Sequence, residues 1–467
     1  MLILTTLFFV FGFVTNVNDI LIVFLRDICQ IKTHLEASLV QFAFFGAYFL
    51  MALPAGWVLE RVGYKRGIVV GLLTMAVGAL LFLPAASTRQ YPLFLLALGV
   101  VGAGLTLLQT AANPYASVLG PPETAASRVS IVGAANSLAG TISPYLAGLL
   151  LLGGAGLSAA EVAGRMSLAE KAALIPGPYL GLALVLVGLA VLVGLSRMPE
   201  IDEIHPEAAT DGVDEPAVST AVGAGRTSAL QFPHLVLGVG AIFFYVGVEV
   251  GIASWLIPLG RSLHLMWWSS FAQEVLSWFG VHAKPIVINS LSQLKQLQES
   301  GITSHGTRVI YNPEAPANPS PSVFSDLSGA VLVTLYWGGA MVGRFLGIPV
   351  LQRFRDVSVL RGVVGAALLL VLAAIATGGE AGLWLLVLCG LCNSVMWPIL
   401  FPLGIRGLGA HTKQGSALLI MGIVGGAIVP MLMGGLADQT SLRVAFVLPV
   451  LCYTYLLYFA VSGFRIR

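Results

Sequence analysis

Residues 108–121 read LQTAANPYASVLGP, and residues 392–409 read CNSVMWPILFPLGIRGLG. In the first stretch Gln109 stands five residues before Pro114, with Gly120 six beyond the proline. In the second, Asn393 stands five before Pro398, with Gly404 six beyond. A further set, Gly140, Pro144 and Gly148, recurs as Gly426, Pro430 and Gly434. The offsets are 284 and 286 residues. Two copies of one unit at a constant offset mean a duplicated fold, with corresponding helices bearing corresponding breaks. Working outward, Phe8-Phe9 and Phe243-Phe244 match at an offset of only 235, so about 50 residues are inserted in the second copy, within 261–327.

The composition says what the unit is made of. Of 467 residues, 57% are hydrophobic and 10% charged, against about 25% charged in soluble domains. Mean hydropathy is +0.90. A soluble enzyme, a nucleic-acid binder and a disordered scaffold are excluded, and a net charge of +2 implies no polyanionic partner. A helix crossing the bilayer needs about 20 apolar residues. Such runs fall at 1–26, 36–60, 66–85, 91–119, 125–153 and 176–197, then at 231–260, 328–352, 359–378, 382–408, 412–436 and 442–463. The expectation is an all-α membrane protein, twelve transmembrane helices in two six-helix bundles. The halves span 1–197 and 231–463, the polar stretch 198–230 links them, and the insert at 261–327 lies in the second. The first run begins at Met1 without a basic leader, so it reads as a retained span. With the N-terminus inside, thirteen Lys and Arg fall on the inner side against six outside, leaving aside four in the long loop. That bias places both termini in the cytoplasm and the chain in the plasma (inner) membrane.

Duplicated six-helix halves place a substrate site at the midplane between them, exposed alternately to the two sides. The sequence contains no nucleophile–base pair, metal cluster or phosphate loop, so neither catalysis nor ATP drives it. Cys389 and Cys392 sit in an apolar span as packing residues, and the seven His lack ligand spacing. No metal or cofactor is expected. Intramembrane ionisable groups mark function by default. These are Asp19, with Asn16 a turn before it, Glu249 and Arg344. Glu249 is a candidate for binding a cation or a substrate hydroxyl, or else for an ion pair with Arg344. Asn393 is the counterpart of Gln109 and a candidate substrate contact. Trp397, Trp255 and Trp337 are candidates for stacking against a substrate ring, or for plain packing.

Between the second and third spans the chain reads GWVLERVGYKRG (56–67), which resembles the major facilitator motif G-x-x-x-D-R-x-G-R-R/K at Gly56, Glu60, Arg61, Gly63, Lys65 and Arg66. A carboxylate and a guanidinium at a helix end can latch neighbouring helices there. FFVFGFVTNVNDIL (8–21), LQTAANPYASVLGP (108–121), FFYVGVEVGIASWL (243–256), LYWGGAMVGRFLG (335–347) and CNSVMWPILFPLGIRGLG (392–409) are similar to the fucose–proton symporter family, most of all its glucose/galactose branch. The resemblance implies Asp19 as the protonatable coupling residue, and Gln109 and Asn136 as sugar contacts. Where the fucose symporter carries a Glu, this chain has Gln109, which donates and accepts hydrogen bonds but cannot titrate. The expected function is import of a monosaccharide, glucose, galactose or a related hexose, by cation symport. The coupling ion is either proton or sodium. The alternatives are an exporter of small amphipathic compounds and a non-transporting sugar sensor. Lipid and sugar are the expected partners, with a monomer as the functional unit.

Overall fold

The structure, a computed structural model, describes residues 1–29, 34–151, 172–196, 228–262, 286–288, 309–311 and 322–466. Side chains at 16–28, 34–41, 122, 143–151, 257–258, 260–262, 322–331 and 410, and those of the two short strands, lie outside that description.

The first half runs α1 (Leu2–Ile28), α2 (His34–Thr88), α3 (Tyr91–Val118), α4 (Ala125–Leu151) and α5 (Pro176–Leu195). The second runs α6 (Pro233–Ser262), α7 (Ser322–Arg353), α8 (Asp356–Thr377), α9 (Gly379–Asn393), α10 (Met396–Ile405), α11 (Thr412–Met421), α12 (Gly425–Gln439), α13 (Leu442–Ala445) and α14 (Val447–Tyr458). Two three-residue strands, β1 (Ile286–Ile288) and β2 (Val309–Tyr311), pair in parallel within the insert. The insert's ends are helical, at 261–262 in α6 and 322–327 in α7; the rest of it and nearly all of the 198–230 linker lie outside the described residues.

These helices make twelve spans. α2 carries two, because at Gly63 the backbone turns to φ 80°, ψ 174° and the direction reverses. Only glycine enters that region without steric cost. α9 and α10 form one span bent by 42° at Ser394–Val395. Pro398 supplies the cause: it has no N–H to give the carbonyl four residues back, that of Ser394. α11 and α12 make the eleventh span, and α13, α14 and a π turn at Phe459–Gly463 the twelfth.

Apolar surface faces lipid as well as the interior, so burial separates central from peripheral spans. In the most apolar stretch of α5 and of α8 a third of the residues are buried (33% each), whereas in that of α6, within Pro233–Leu256, 61% are. α5 and α8 are therefore peripheral and α6 central. Within the first half α2 packs on α3 and α5, and α1 on α4. Between the halves α4 meets α7 and α10, while α2 and α3 meet α11. Arginine closes two helix ends whose last carbonyls have no partner in the helix. Arg128 donates to Ala116 O (3.1 Å), Pro121 O (2.9 Å) and Ser117 O at the end of α3. Arg443 donates to Ile375 O (2.5 Å) and Ala376 O (2.7 Å) at the end of α8.

Candidate functional site

The amides singled out by the repeat lie deep in the fold. Gln109 is buried on α3, and its Nε2 donates to the Tyr48 hydroxyl on α2 at 2.8 Å. One turn on, Asn113 Nδ2 donates to the Gln109 carbonyl at 3.0 Å. Its Oδ1 accepts from Trp397 Nε1 on α10 at 3.3 Å, a bond between the halves. Asn113 and Trp397 are 284 residues apart, the same offset as Gln109 and Asn393. They are therefore repeat counterparts, and counterparts touch only where the axis relating the halves passes. The Trp397 ring lies 5.7 Å from Phe401 at 24°, and 6.3 Å from Tyr245. Beside Gln109, a cleft of about 10 Å³ is lined by Leu7, Phe8, Phe11, Leu108 and Ala112. That is room for about one water, whereas ligand pockets run to about 300–1,000 Å³. Asn136 on α4 faces Gly12 of α1 so closely that a Cβ there would overlap its side chain and carbonyl.

On the other side of the axis stands a charged cluster. Glu249 Oε1 on α6 accepts from the Tyr245 hydroxyl at 2.7 Å, and Arg344 Nη2 on α7 lies 3.8 Å from the same oxygen. Arg344 Nε donates to Ser394 O at 3.3 Å, the carbonyl that Pro398 leaves free. Arg344 Nη1 reaches into the first half, donating to Gly133 O (3.0 Å) and to the Ser137 hydroxyl on α4. Ser130 Oγ on α4 donates back to the Arg344 carbonyl at 3.0 Å. The approach of α7 to the bend depends on Gly343, where a Cβ would collide with the Ser394 hydroxyl.

Asn393 is fully buried and enclosed by tyrosines. Its Nδ2 donates to Tyr336 Oη at 2.8 Å, and its Oδ1 accepts from Tyr453 Oη at 2.7 Å. Tyr336 Oη in turn donates to the Glu249 carbonyl at 3.0 Å. Through these bonds the Asn393 amide, expected as a substrate contact, ties four spans together. Trp255 packs half-buried beside Gly434, and Trp337 is exposed on α7, edge-on to Tyr336. Asp19 and Asn16 lie on α1, but their side chains fall outside the described residues.

The loop motif is put together differently from the expected carboxylate–guanidinium latch. Gly56 packs against α11, where an added Cβ would come within 2.9 Å of Ala417 Cβ. Lys65 Nζ donates to Ser196 O at 2.7 Å, and the Arg61 guanidinium lies 3.6 Å from the centre of the Trp57 ring. Lys413 of the other half sits 5.4 Å over the buried Tyr64 ring. Glu60 and Arg66 are exposed. The latch here is close packing and a cation over an aromatic face.

Residues unmarked by the sequence reading complete the site: Tyr48, Asn113, Tyr245, Tyr336, Tyr453, Ser130 and Ser137. Asn113 carried a signal, one turn after Gln109 and at the repeat offset from Trp397. The tyrosines carried none beyond their hydroxyls in apolar spans.

Two six-helix halves meeting at an axis, with amides and a buried charged pair beside it, define a secondary transporter rather than an enzyme. The Major Facilitator Superfamily model matches residues 3–294. A glucose/galactose transporter of Brucella abortus is 39% identical over 460 residues, covering 98% of this chain and 93% of the relative. The L-fucose-proton symporter of Escherichia coli is 28% identical over 465 residues, covering 98% and 91%. A crystal structure of a fucose transporter in the outward conformation superposes with a TM-score of 0.72 at 28% identity, covering 99% of this chain and 97% of that one. The chain belongs to the major facilitator superfamily.

Proposed function

We propose that the protein is a secondary active transporter that imports a hexose, glucose or galactose, by proton symport. The observation that carries this is the polar layer on the axis, Tyr48–Gln109–Asn113–Trp397, set beside the buried Glu249–Arg344 pair. Neutral amides that both donate and accept suit a neutral polyol. An indole face beside them suits the C–H face of a pyranose. The names of the relatives, two glucose/galactose transporters and two fucose–proton symporters among them, support the same reading.

Gln109, Asn136 and Asn16 are the sugar-contacting amides in this reading, Trp397 the stacking surface, and Asn393 the residue that orients Tyr336. Asp19 and Glu249 carry the coupling charge. A proton moving down the membrane potential gains about 2.3 kcal/mol per 100 mV, a concentration ratio of about fifty. The halves 1–197 and 231–463 rock about the axis, joined by the cytoplasmic linker 198–230, with both termini in the cytoplasm and the plasma membrane as the site of action. The monomer is the working unit, since both halves of the site come from one chain.

The test is uptake of labelled glucose, galactose, mannose and fucose into proteoliposomes under an imposed proton gradient, a sodium gradient, or neither. Accumulation of glucose or galactose with the proton gradient alone, lost in Asp19→Asn, is expected. Accumulation driven only by sodium would replace the proton. No accumulation by folded protein would overturn symport.

A further inference from the structure

We propose that Arg344 is the positioning residue through which protonation of Glu249 opens one face of the transporter. The inference rests on the reading of Glu249 as a coupling carboxylate, and goes on to say what its charge moves.

The guanidinium is shared across the two halves. In the second half it pairs with Glu249 Oε1 at 3.8 Å and donates to Ser394 O at 3.3 Å. In the first it donates to Gly133 O at 3.0 Å and to the Ser137 hydroxyl. Around it, α7 and α4 are joined further by Ser130 to the Arg344 carbonyl (3.0 Å) and by Gln352 Nε2 to Ser127 Oγ (3.4 Å). These contacts close the face that carries the turns after α3 and α7, together with Gly56 against Ala417 and Lys413 over Tyr64. Opening that face requires α7 to leave α4, and so requires Nη1 to give up both of its acceptors. Among these α4–α7 contacts, the guanidinium's are the ones that carry charge.

Glu249 supplies the countercharge that lets a buried guanidinium rest among carbonyls and hydroxyls. When the carboxylate takes up a proton it becomes a neutral acid, and Arg344 keeps its charge. An uncompensated buried cation is strongly unfavourable. Parting α7 from α4 admits water to it and relieves the cost. The closed face is thus stabilised when Glu249 is ionised and destabilised when it is protonated. By linkage, the face that is closed at high pH opens as pH falls. The sign is the one symport requires. The proton-loaded carrier opens this face, and the carrier that has released its proton closes it.

The other titratable and charged groups around Glu249 are Tyr245 on its own helix, Tyr336 and Arg344 on α7, Cys389 and Cys392 on α9 beside Tyr336, and Tyr453 on α14. The tyrosines and cysteines are neutral in the physiological range unless specially activated. A guanidinium is not deprotonated in proteins. Within this cluster the switch is therefore the carboxylate.

The experiment uses the full chain in lipid nanodiscs, with native cysteines replaced by alanine and spin labels on Glu123→Cys and Arg353→Cys. Both positions are exposed, near the starts of α4 and the end of α7. The label–label distance is measured from acid to alkaline pH. The wild-type distribution is expected to lengthen as pH falls, and Glu249→Gln to show the long distance at every pH. Ser137→Ala, which removes one acceptor of a charged hydrogen bond, is expected to raise the open-to-closed ratio about tenfold at neutral pH. Glu249→Gln that keeps the short distance and the wild-type pH response would overturn the proposal. A pH response lost in Asp19→Asn but intact in Glu249→Gln would place the switch on Asp19 and also overturn it. If Glu249→Gln abolishes gradient-driven uptake yet leaves the distances as in wild type, the coupling role of Glu249 stands and the latch through Arg344 falls.

Discussion

Asn393 and Gln109 occupy the same place in the repeat, yet their surroundings differ. Gln109 spends its amide on Tyr48 and stands beside a cleft, whereas Asn393 is closed in by two tyrosine hydroxyls. Truncating them should therefore have different effects. Gln109→Ala is expected to raise the KM for sugar tenfold or more, with the thermal midpoint little changed. Asn393→Leu leaves two buried hydroxyls short of a partner, which costs about 1–3 kcal/mol. It is expected to lower the thermal midpoint by several degrees, with less than a threefold change in KM for the protein that folds. Uptake kinetics alongside thermal unfolding in detergent separate the two. A large KM change in Asn393→Leu at unchanged stability would return that residue to the substrate wall. At Gly63, where φ is 80°, any side chain is strained, and Gly63→Val is expected to destabilise by more than about 1 kcal/mol.

At the scale of the helix, Pro398 does two things at once. It breaks the tenth span into α9 and α10, and it leaves the Ser394 carbonyl for Arg344. Pro398→Ala would restore an N–H able to bond that carbonyl inside the helix. The bend of 42° is then expected to shrink and the guanidinium to lose an acceptor. Turnover should fall at least severalfold while sugar binding at equilibrium stays within a few-fold of wild type. Unchanged turnover would mean that the bend is set by packing against α6 and α7, not by the proline. That prolines and amides mark these helices was plain from the sequence, because hydrophobic spans tolerate so few of either. That one proline frees the carbonyl an arginine from another helix needs was not plain, since nothing in the tenth span points to residue 344.

Across the whole molecule, closure of one face rests on pairs far apart in the chain: Gly56 with Ala417, Tyr64 with Lys413, Ser127 with Gln352, and Arg344 with Gly133 and Ser137. A disulfide engineered between Gly56→Cys and Ala417→Cys, in a background free of native cysteines, should hold that face shut. Uptake is expected to cease on oxidation and return on reduction. Transport that continues with the cross-link fully formed would show that the halves need not part there.

Spans, duplication, the insert and the buried ionisable residues all follow from local features of the chain. A helix needs about 20 apolar residues to cross a bilayer, and a duplicated unit repeats its spacings, so the sequence by itself determined twelve spans in two halves and the amides that mark their centre. Which of those amides faces the cleft and which is walled off, and which half Arg344 grips, were decided only by the tertiary structure. Spacing along a helix sets the phase of its side chains. The rotation of one helix against another comes from packing over the whole bundle, and here it joins Arg344 to Gly133 across 211 residues of chain.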